Sequence, residues 1–319
     1  MVSTSASRLS SSRRNCIVRS YDALGTLYGF KEPVAVQYLK VARSCGLRDD
    51  ISSHAVNQAF KSAYKDTVAE YPNYGKEKLS DPQQWWKILI DRTFGQVVPE
   101  NRIPDDLGAA LYQHFSSGAA YELFTDARNM FQRMREDRAQ PLVRAGHDEP
   151  IVNYPPIVGV VTNSDPRVTK VLHDLGLKVG AVEPQRVLDG KSPPGCSDDW
   201  NPSNDIDFVC ASYEAGYEKP DRGIFDHART LGDAVLQAQQ AHRTKSLEAM
   251  RGPEGTTADE SIKSVPRMPT VEWHHIGDDM SKDYQGAEGA GMKGFYLKRD
   301  EPLTTEELRV PESARLTSL

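Results

Sequence analysis

The stretch of sequence that decides the fold is Ser20-Tyr21-Asp22-Ala23-Leu24-Gly25-Thr26-Leu27. It follows the short apolar run Cys16-Ile17-Val18, and helical spacing begins soon after it. This pattern predicts a first β-strand that ends in a glycine-containing loop, with the carboxylate of Asp22 at the carboxyl edge of a parallel sheet. A carboxylate held there can attack phosphorus or carbon and form a covalent aspartyl intermediate. The alternative is that Asp22 caps a turn before a helix.

Charge and hydropathy narrow the classes of partner. The 319-residue chain has a formal net charge of -6 at pH 7, and no long basic run follows its N-terminus. Because nucleic-acid binding depends on neutralising phosphates with Lys and Arg, a nucleic-acid partner is not expected. No stretch approaches the roughly 18 apolar residues of a membrane helix, so a soluble protein without a membrane partner is predicted. The oligomeric state is not readable from the sequence.

The cysteines and the N-terminus bear on the compartment. The four cysteines show no metal-binding spacing, which favours a reducing intracellular compartment, either cytoplasmic or nuclear. Residues 1–14 are rich in Ser and Arg and contain no acidic residue, a composition that resembles a weak mitochondrial presequence. A disordered N-terminal tail is the favoured interpretation because the first strand begins almost at once.

The remaining chain alternates between helix-like and strand-like segments. Residues 32–120 contain helical spacing without strand-like alternation, which predicts a helical module inserted after the first strand. A helix is predicted over 121–134, and apolar runs predict strands at 157–163, 208–210, 271–276 and 294–297. Together with residues 15–31, the segment 121–300 is therefore expected to form a doubly wound parallel α/β sheet.

Other segments are predicted to lie outside the packed core. Three polar stretches are predicted to be insertions, near 136–154, 183–204 and 237–269. The last of these is expected to be partly disordered. Residues 301–319 are assigned to a C-terminal tail.

Polar side chains stand at the ends of four predicted segments, namely Asp22, Thr162 with Asn163, Lys219, and Asp278 with Asp283. In a doubly wound sheet these ends converge on one crevice. Phosphoryl transfer requires a nucleophile, positive charge near the phosphoryl oxygens and a metal ion. The hydroxyl of Thr162, the ammonium of Lys219 and an oxygen-rich Mg²⁺ site meet these requirements. Taken singly, each group also fits an ordinary cap, a surface lysine or a solvated acidic turn.

The pattern as a whole resembles a known superfamily. Asp22-x-x-Gly25-Thr26-Leu27, Thr162-Asn163, Lys219-Pro220-Asp221 and Gly277-Asp278-Asp279-x-x-x-Asp283 resemble the four motifs of the haloacid dehalogenase-like hydrolases. Four segments resemble one branch of them: Tyr71-Pro72-Asn73-Tyr74-Gly75, Trp85-Trp86, Ala215-Gly216-x-x-Lys219-Pro220-Asp221-x-x-Ile224-Phe225 and Asp283-Tyr284-Gln285-Gly286-Ala287. The resemblance implies a Rossmann-like core, a helical cap over 32–120, Mg²⁺ as cofactor and a small phosphorylated molecule as substrate.

The resemblance also implies individual roles. Asp22 is the implied nucleophile, and it is an implied metal ligand together with Asp278 and the backbone carbonyl of Leu24. Asp283 is implied to support either the metal or the lysine. Binding of the transferring group is implied for Thr162 and Lys219, with Thr26 and Asn163 beside them.

One position departs from the superfamily's phosphatases. Two residues beyond the nucleophile they carry a second Asp as general acid, whereas this chain has Leu24. General acid–base catalysis is typically worth about 10²–10⁴-fold, so hydrolysis is expected to be impaired or specialised. Two alternatives stay open: a non-catalytic pseudo-hydrolase that binds a phosphorylated ligand or a protein, and a metal-independent dehalogenase-like hydrolase.

Three further features are ambiguous. His274 and His275 suggest zinc, but adjacent strand residues point to opposite faces, so packing is the favoured interpretation. Trp85 and Trp86 could shape a substrate pocket, although aromatic residues of an amphipathic helix are more often buried. The turn 71–75 either contacts the substrate or simply connects two helices.

Overall fold

The computed structural model describes residues 16–140, 143–144, 151–152, 155–180, 200–251, 270–299, 303–304 and 306–319. The predicted tail 1–14 lies outside the described residues, as do residues 183–199 and 252–269 of two predicted insertions. In the described part of the chain, no helix combines the length and the apolar character needed to cross a bilayer.

A six-stranded parallel sheet forms the centre of the protein, which confirms the predicted α/β fold class. The strands are β1 (Cys16–Tyr21), β2 (Tyr28–Phe30), β3 (Tyr121–Leu123), β4 (Val143–Arg144), β5 (Ile151–Val152), β6 (Ile157–Thr162), β7 (Phe208–Ala211), β8 (Val271–Gly277), β9 (Lys293–Leu297) and β10 (Arg315–Leu316). The spatial order in the sheet is β10-β9-β8-β1-β6-β7, and all neighbours are parallel. All six residues of β6 are buried, as expected for a strand covered on both faces.

Some of the helices cover the two faces of this sheet, and four others form an insertion that is described below. The helices are α1 (Val34–Ser44), α2 (Ser53–Glu70), α3 (Pro82–Gly95), α4 (Leu107–His114), α5 (Thr125–Arg138), α6 (Arg167–Asp174), α7 (Ser212–Ala215), α8 (Arg222–Arg251) and α9 (Gly286–Gly289). Phe131 of α5 and Leu172 of α6 belong to the hydrophobic cluster on one face of the sheet. Phe225 and Leu231 of α8 belong to the cluster on the other face.

The register of the central strands aligns their carboxyl ends. Ser20 of β1 lies beside Gly159 of β6 and beside His275 of β8. Because these strands run parallel in this register, the residues that end or follow them meet at one edge of the sheet. That edge carries the first, second and fourth of the polar groups identified in the sequence.

The helices α1 to α4 lie between β2 and β3 and have hydrophobic clusters of their own. Tyr38 and Phe94 are buried in the larger cluster, and Trp85 and Leu89 in the smaller one. The antiparallel strands β2 and β3 pair at the point where the chain leaves and re-enters the sheet-bearing part. We refer to α1–α4 as the inserted helices.

Four local predictions differ from the structure. Residues 121–123 form β3 rather than the start of a helix, because a three-residue strand has no readable periodicity. The helix α8 continues to Arg251, into the predicted insertion 237–269, and buries the polar Gln239 beside Ala238. The predicted insertion 136–154 contains the paired strands β4 and β5, and the predicted tail 301–319 adds β10 to the edge of the sheet.

Candidate active site

The loop after β1 brings Asp22 and Asp278 together. The backbone N–H of Asp22 donates to the carbonyl of Ile276 over 2.9 Å. Gly25 has φ +94°, and a Cβ there would lie 2.3 Å from Oδ2 of Asp278. Thr26 donates from its hydroxyl to Oδ1 of Asp278 over 2.8 Å. The glycine therefore permits a close approach that a larger residue would block.

Lys219 is the cation of the site, and its side chain is buried. Its Nζ lies 2.8 Å from Oδ1 of Asp22 and 2.5 Å from Oδ1 of Asp283. It also donates to the carbonyl of Val161, over 2.9 Å. Burial alone would lower the pKa of Lys219, but the two carboxylates outweigh burial and raise it. The lysine is therefore a permanent positive charge between the predicted nucleophile and the fourth motif.

Asp283 is held by three donors. Besides Lys219, His275 contacts its Oδ1 from Nε2 at 3.1 Å, and the backbone N–H of Asp279 donates to its Oδ2 over 2.9 Å. Burial opposes ionisation, yet Lys219 and His275 lower the pKa of Asp283 below its ordinary value. Because both of its carboxylate oxygens already accept hydrogen bonds, Asp283 is suited to orienting the lysine and to supporting a metal ligand without binding the metal directly.

The donor set at this edge suits a hard divalent cation. Oxygen atoms of Asp22, Asp278 and Asp283 all lie within 4.8 Å of one another. Burial, and next the charge of Asp22, raise the pKa of Asp278 to about 6. Mg²⁺ prefers carboxylate oxygens and would offset the repulsion between these groups. The residues present therefore fit this ion.

Thr162 and Asn163 end β6 beside the lysine. Thr162 is buried and directly follows Val161, whose carbonyl accepts a bond from Lys219. Asn163 donates from Nδ2 to the carbonyl of Lys219 over 3.0 Å and accepts from its N–H over 2.6 Å. Its side-chain amide therefore holds the backbone of the lysine, a contact that motif order alone does not reveal.

Leu24 is an apolar residue in a loop that otherwise carries polar groups of the site. Its side chain is 41% exposed, two residues after Asp22, in the same loop as Gly25. An isobutyl group carries no transferable proton, so it leaves the general-acid position without acid–base chemistry.

His275 takes part in the site, although no sequence motif indicated this. Its Nδ1 lies 2.9 Å from the hydroxyl of Ser20, while its Nε2 contacts Asp283. The ring of His274 lies apart from this network, against Phe295 and with its Nε2 3.5 Å from Glu272, while its backbone carbonyl accepts a bond from the hydroxyl of Ser20 over 3.2 Å. The prediction that the two histidines do not share a zinc ion agrees with this arrangement. Strand alternation could have indicated that one of them faces the acidic cluster.

The inserted helices reach the end of β6. Trp85 is buried among them and donates to the carbonyl of Tyr71 over 2.8 Å. Trp86 donates from Nε1 to Oδ2 of Asp165 over 2.7 Å, and the guanidinium of Arg167 lies 4.2 Å from its ring centre. The two adjacent tryptophans thus differ, because one packs within the helices and the other contacts the sheet-bearing part.

Comparisons with known proteins agree with this fold. No model of a protein family matches the chain. The structure superposes on YfnB of Bacillus subtilis, a candidate HAD hydrolase solved bound to magnesium, with a TM-score of 0.50, 11% identity and 96% coverage of both chains. The chain therefore shares its fold with this structure, and its four motifs and its sequence relatives are similar to those of the haloacid dehalogenase-like hydrolase superfamily.

The sequence relatives indicate which branch of the superfamily the chain resembles. The chain is 26% identical over 285 residues to bovine (Bos taurus) haloacid dehalogenase-like hydrolase domain-containing protein 3, covering 89% of this chain and 82% of the relative. It is 27% identical over 286 residues to YMR130W of Saccharomyces cerevisiae, covering 89% of this chain and 72% of that protein. The chain is thus similar to the branch that its sequence segments resemble.

Proposed function

We propose that this protein is a Mg²⁺-dependent hydrolase that removes a phosphoryl group from a small phosphorylated molecule through an aspartyl intermediate on Asp22. The observation that carries the proposal is the cluster of Asp22, Asp278 and Asp283, whose oxygen atoms lie within 4.8 Å of one another, with Lys219 between Asp22 and Asp283. Carboxylates crowded together in this way are costly without cations. A resident lysine and a divalent ion would supply the positive charge.

The proposed metal ligands are Asp22, Asp278 and the backbone carbonyl of Leu24, with Asp283 as an outer support. Bound there, Mg²⁺ would neutralise charge on the phosphoryl oxygens. The magnesium bound to YfnB supports this proposal, since that protein shares the fold.

In the proposed first step, Oδ of Asp22 attacks phosphorus. A phosphorus–oxygen bond forms to the carboxylate as the bond to the leaving oxygen breaks, and a leaving oxygen that is basic enough to need a proton takes it from solvent water. In the second step water attacks the aspartyl phosphate, which releases inorganic phosphate and restores the carboxylate. Lys219 and Thr162 would bind the phosphoryl oxygens in both steps.

Leu24 restricts the substrate. Because it cannot protonate a departing alkoxide, we propose a substrate whose leaving group is already a weak base, such as an acyl or aryl phosphate. We further propose that the inserted helices act as a cap over the crevice, a role supported by the contacts of Trp86 with Asp165 and Arg167.

The test is a phosphatase assay of purified protein with Mg²⁺ against acyl, aryl and alkyl phosphates. Wild type is expected to release phosphate fastest from the acyl and aryl phosphates, and to lose this activity on addition of EDTA. Asp22→Asn is the matched control, because it keeps the shape of the side chain and removes the nucleophile. Equal, negligible rates for both proteins would contradict the proposal.

A non-catalytic role is the second candidate, and Leu24 is the observation that favours it. A pseudo-hydrolase would still bind inorganic phosphate with Mg²⁺ at Lys219 and Thr162, and calorimetry would detect that binding without turnover. The dehalogenase alternative is less well supported, since a metal-independent reaction would give Asp278 no role as a metal ligand. It predicts halide release from 2-haloacids that is insensitive to EDTA.

A further inference from the structure

The turn 71–75 has an unusual backbone. Asn73 has φ 46° and Tyr74 has φ 55°, in the left-handed region that favours glycine. Asn tolerates this region, but for a bulky residue such as Tyr it is a true outlier. Strained backbone of this kind persists only where surrounding contacts hold it, and it is concentrated at functional sites.

Those contacts join the turn to the ends of two core strands. The hydroxyl of Tyr74 donates to the carbonyl of Asn163, just after β6, over 2.9 Å. Asn73 donates from Nδ2 to the carbonyl of Ser212, just after β7, over 2.8 Å. The hydroxyl of Ser212 donates back to Oδ1 of Asn73 over 2.9 Å. The two residues with positive φ are therefore each hydrogen-bonded to a different strand end.

The strand end that Tyr74 holds is the one that holds the lysine. Asn163 makes both of its side-chain amide bonds with the backbone of Lys219. The carbonyl of Val161, two residues earlier, accepts a bond from Nζ of the same lysine. The segment 161–163 thus contacts Lys219 at three points, and Tyr74 fixes the end of that segment from the inserted helices.

The geometry points to the turn 71–75 as a positioning element, in which Tyr74 and Asn73 hold the ends of β6 and β7 so that Lys219 stays aligned with Asp22. This inference rests on the proposed function for its catalytic consequence, but its structural part stands without it. Tyr74 and Asn73 are positioning residues, since they act through Asn163 and Ser212.

The test compares Tyr74→Phe and Asn73→Gly with wild type. The first variant removes one hydroxyl, and the second removes the amide while suiting the positive φ. Tyr64→Phe is the matched control, because Tyr64 also packs against Trp85 but is 42% exposed. Hydrogen exchange measured by mass spectrometry follows residues 161–164 and 217–222, and phosphatase kinetics give kcat and KM. Thermal unfolding checks that each variant is folded.

We expect Tyr74→Phe to speed exchange in both segments by about fivefold, the effect of one hydrogen bond. Asn73→Gly should change exchange in the same direction. On the best substrate, kcat should fall about fivefold to tenfold with little change in KM. Tyr64→Phe should behave as wild type does.

Wild-type exchange at 217–222 in both variants, or equal acceleration in Tyr64→Phe, would overturn the inference. A change in KM alone, with kcat intact, would assign the turn to substrate contact and would also overturn it. If wild type has no phosphatase activity, the proposed function fails, and the exchange data alone decide whether the turn positions the lysine.

Discussion

The ammonium of Lys219 lies 2.8 Å from the carboxylate of Asp22, deep in a site where the lysine side chain is only 2% exposed. The same ammonium is bonded to Asp283. A lysine shared by two carboxylates neutralises part of their charge and orients both of them. This relationship links the stability of the fold to the chemistry proposed for it.

Removing the lysine should therefore destabilise the protein. Lys219→Met leaves the buried Asp283 and the partly buried Asp22 without their cation, and loss of one partner of a buried ion pair costs about 3–5 kcal/mol. Urea unfolding at pH 7 would measure the change in the free energy of unfolding. Lys40→Met is the control, because Lys40 pairs with Glu32 while 59% exposed and should cost at most about 1 kcal/mol. Similar stabilities for the two variants would contradict the geometry.

A carboxyl group at position 24 should restore acid catalysis. Leu24→Asp adds a proton donor two residues after Asp22, and general acid catalysis is worth about 10²–10⁴-fold. The gain in kcat should be largest for alkyl phosphates, whose leaving groups most need a proton. Leu24→Asn has a similar shape but no transferable proton, so it should show no such gain. A failure of Leu24→Asp to exceed Leu24→Asn would count against an assembled site.

Gly25 should be required for the metal site rather than only for the loop. In Gly25→Ala the new Cβ would displace the carboxylate of Asp278, so binding of Mg²⁺ measured by calorimetry should be lost. Gly46→Ala is the matched control, because Gly46 has φ +99° with open space around it. Both variants should lose about 1 kcal/mol from backbone strain, and only the first should lose Mg²⁺. Intact Mg²⁺ binding in Gly25→Ala would contradict the assignment of Asp278.

Acid should remove a contact between the C-terminal end and α5. Arg299 and the backbone N–H of Leu319 both donate to Asp126, over 2.6 and 2.9 Å. Burial favours the neutral acid, but these donors outweigh it and lower the pKa of Asp126. Because the pKa is lower in the folded state, this contribution is full above the ordinary pKa of an Asp. It is lost as the pH falls through the lowered value.

Asp126→Asn should therefore lower the free energy of unfolding by about 1 kcal/mol at pH 7, an amount reduced by partial exposure. Unfolding at several pH values would show the difference from wild type shrinking below the ordinary pKa. Asp137→Asn changes an exposed residue of the same helix and should match wild type throughout. A difference that does not depend on pH would exclude an effect of the Asp126 charge.

The fold could be predicted where runs of sequence were long and periodic. The run Ile157 to Thr162 identified a doubly buried strand, and the structure confirms it as β6. The strands β3 and β10 were missed because two or three residues are too few to show an alternating pattern. Their pairing depends on residues that are far away in the sequence. The first part of the predicted insertion 237–269 is helical. The helix was not predicted there because a polar sequence does not reveal which side of a helix is covered by the rest of the protein.

By itself the sequence determined the class of the fold, the polar groups at three strand ends and the leucine two residues after Asp22, because each depends on residue type and local order. Tertiary structure alone decided that Asn163 holds the backbone of Lys219, that His275 contacts Asp283 and that Tyr74 reaches Asn163. These contacts join residues that are 8 to 89 positions apart. Their hydrogen bonds depend on strand register and on the docking of separate elements, which no local pattern encodes.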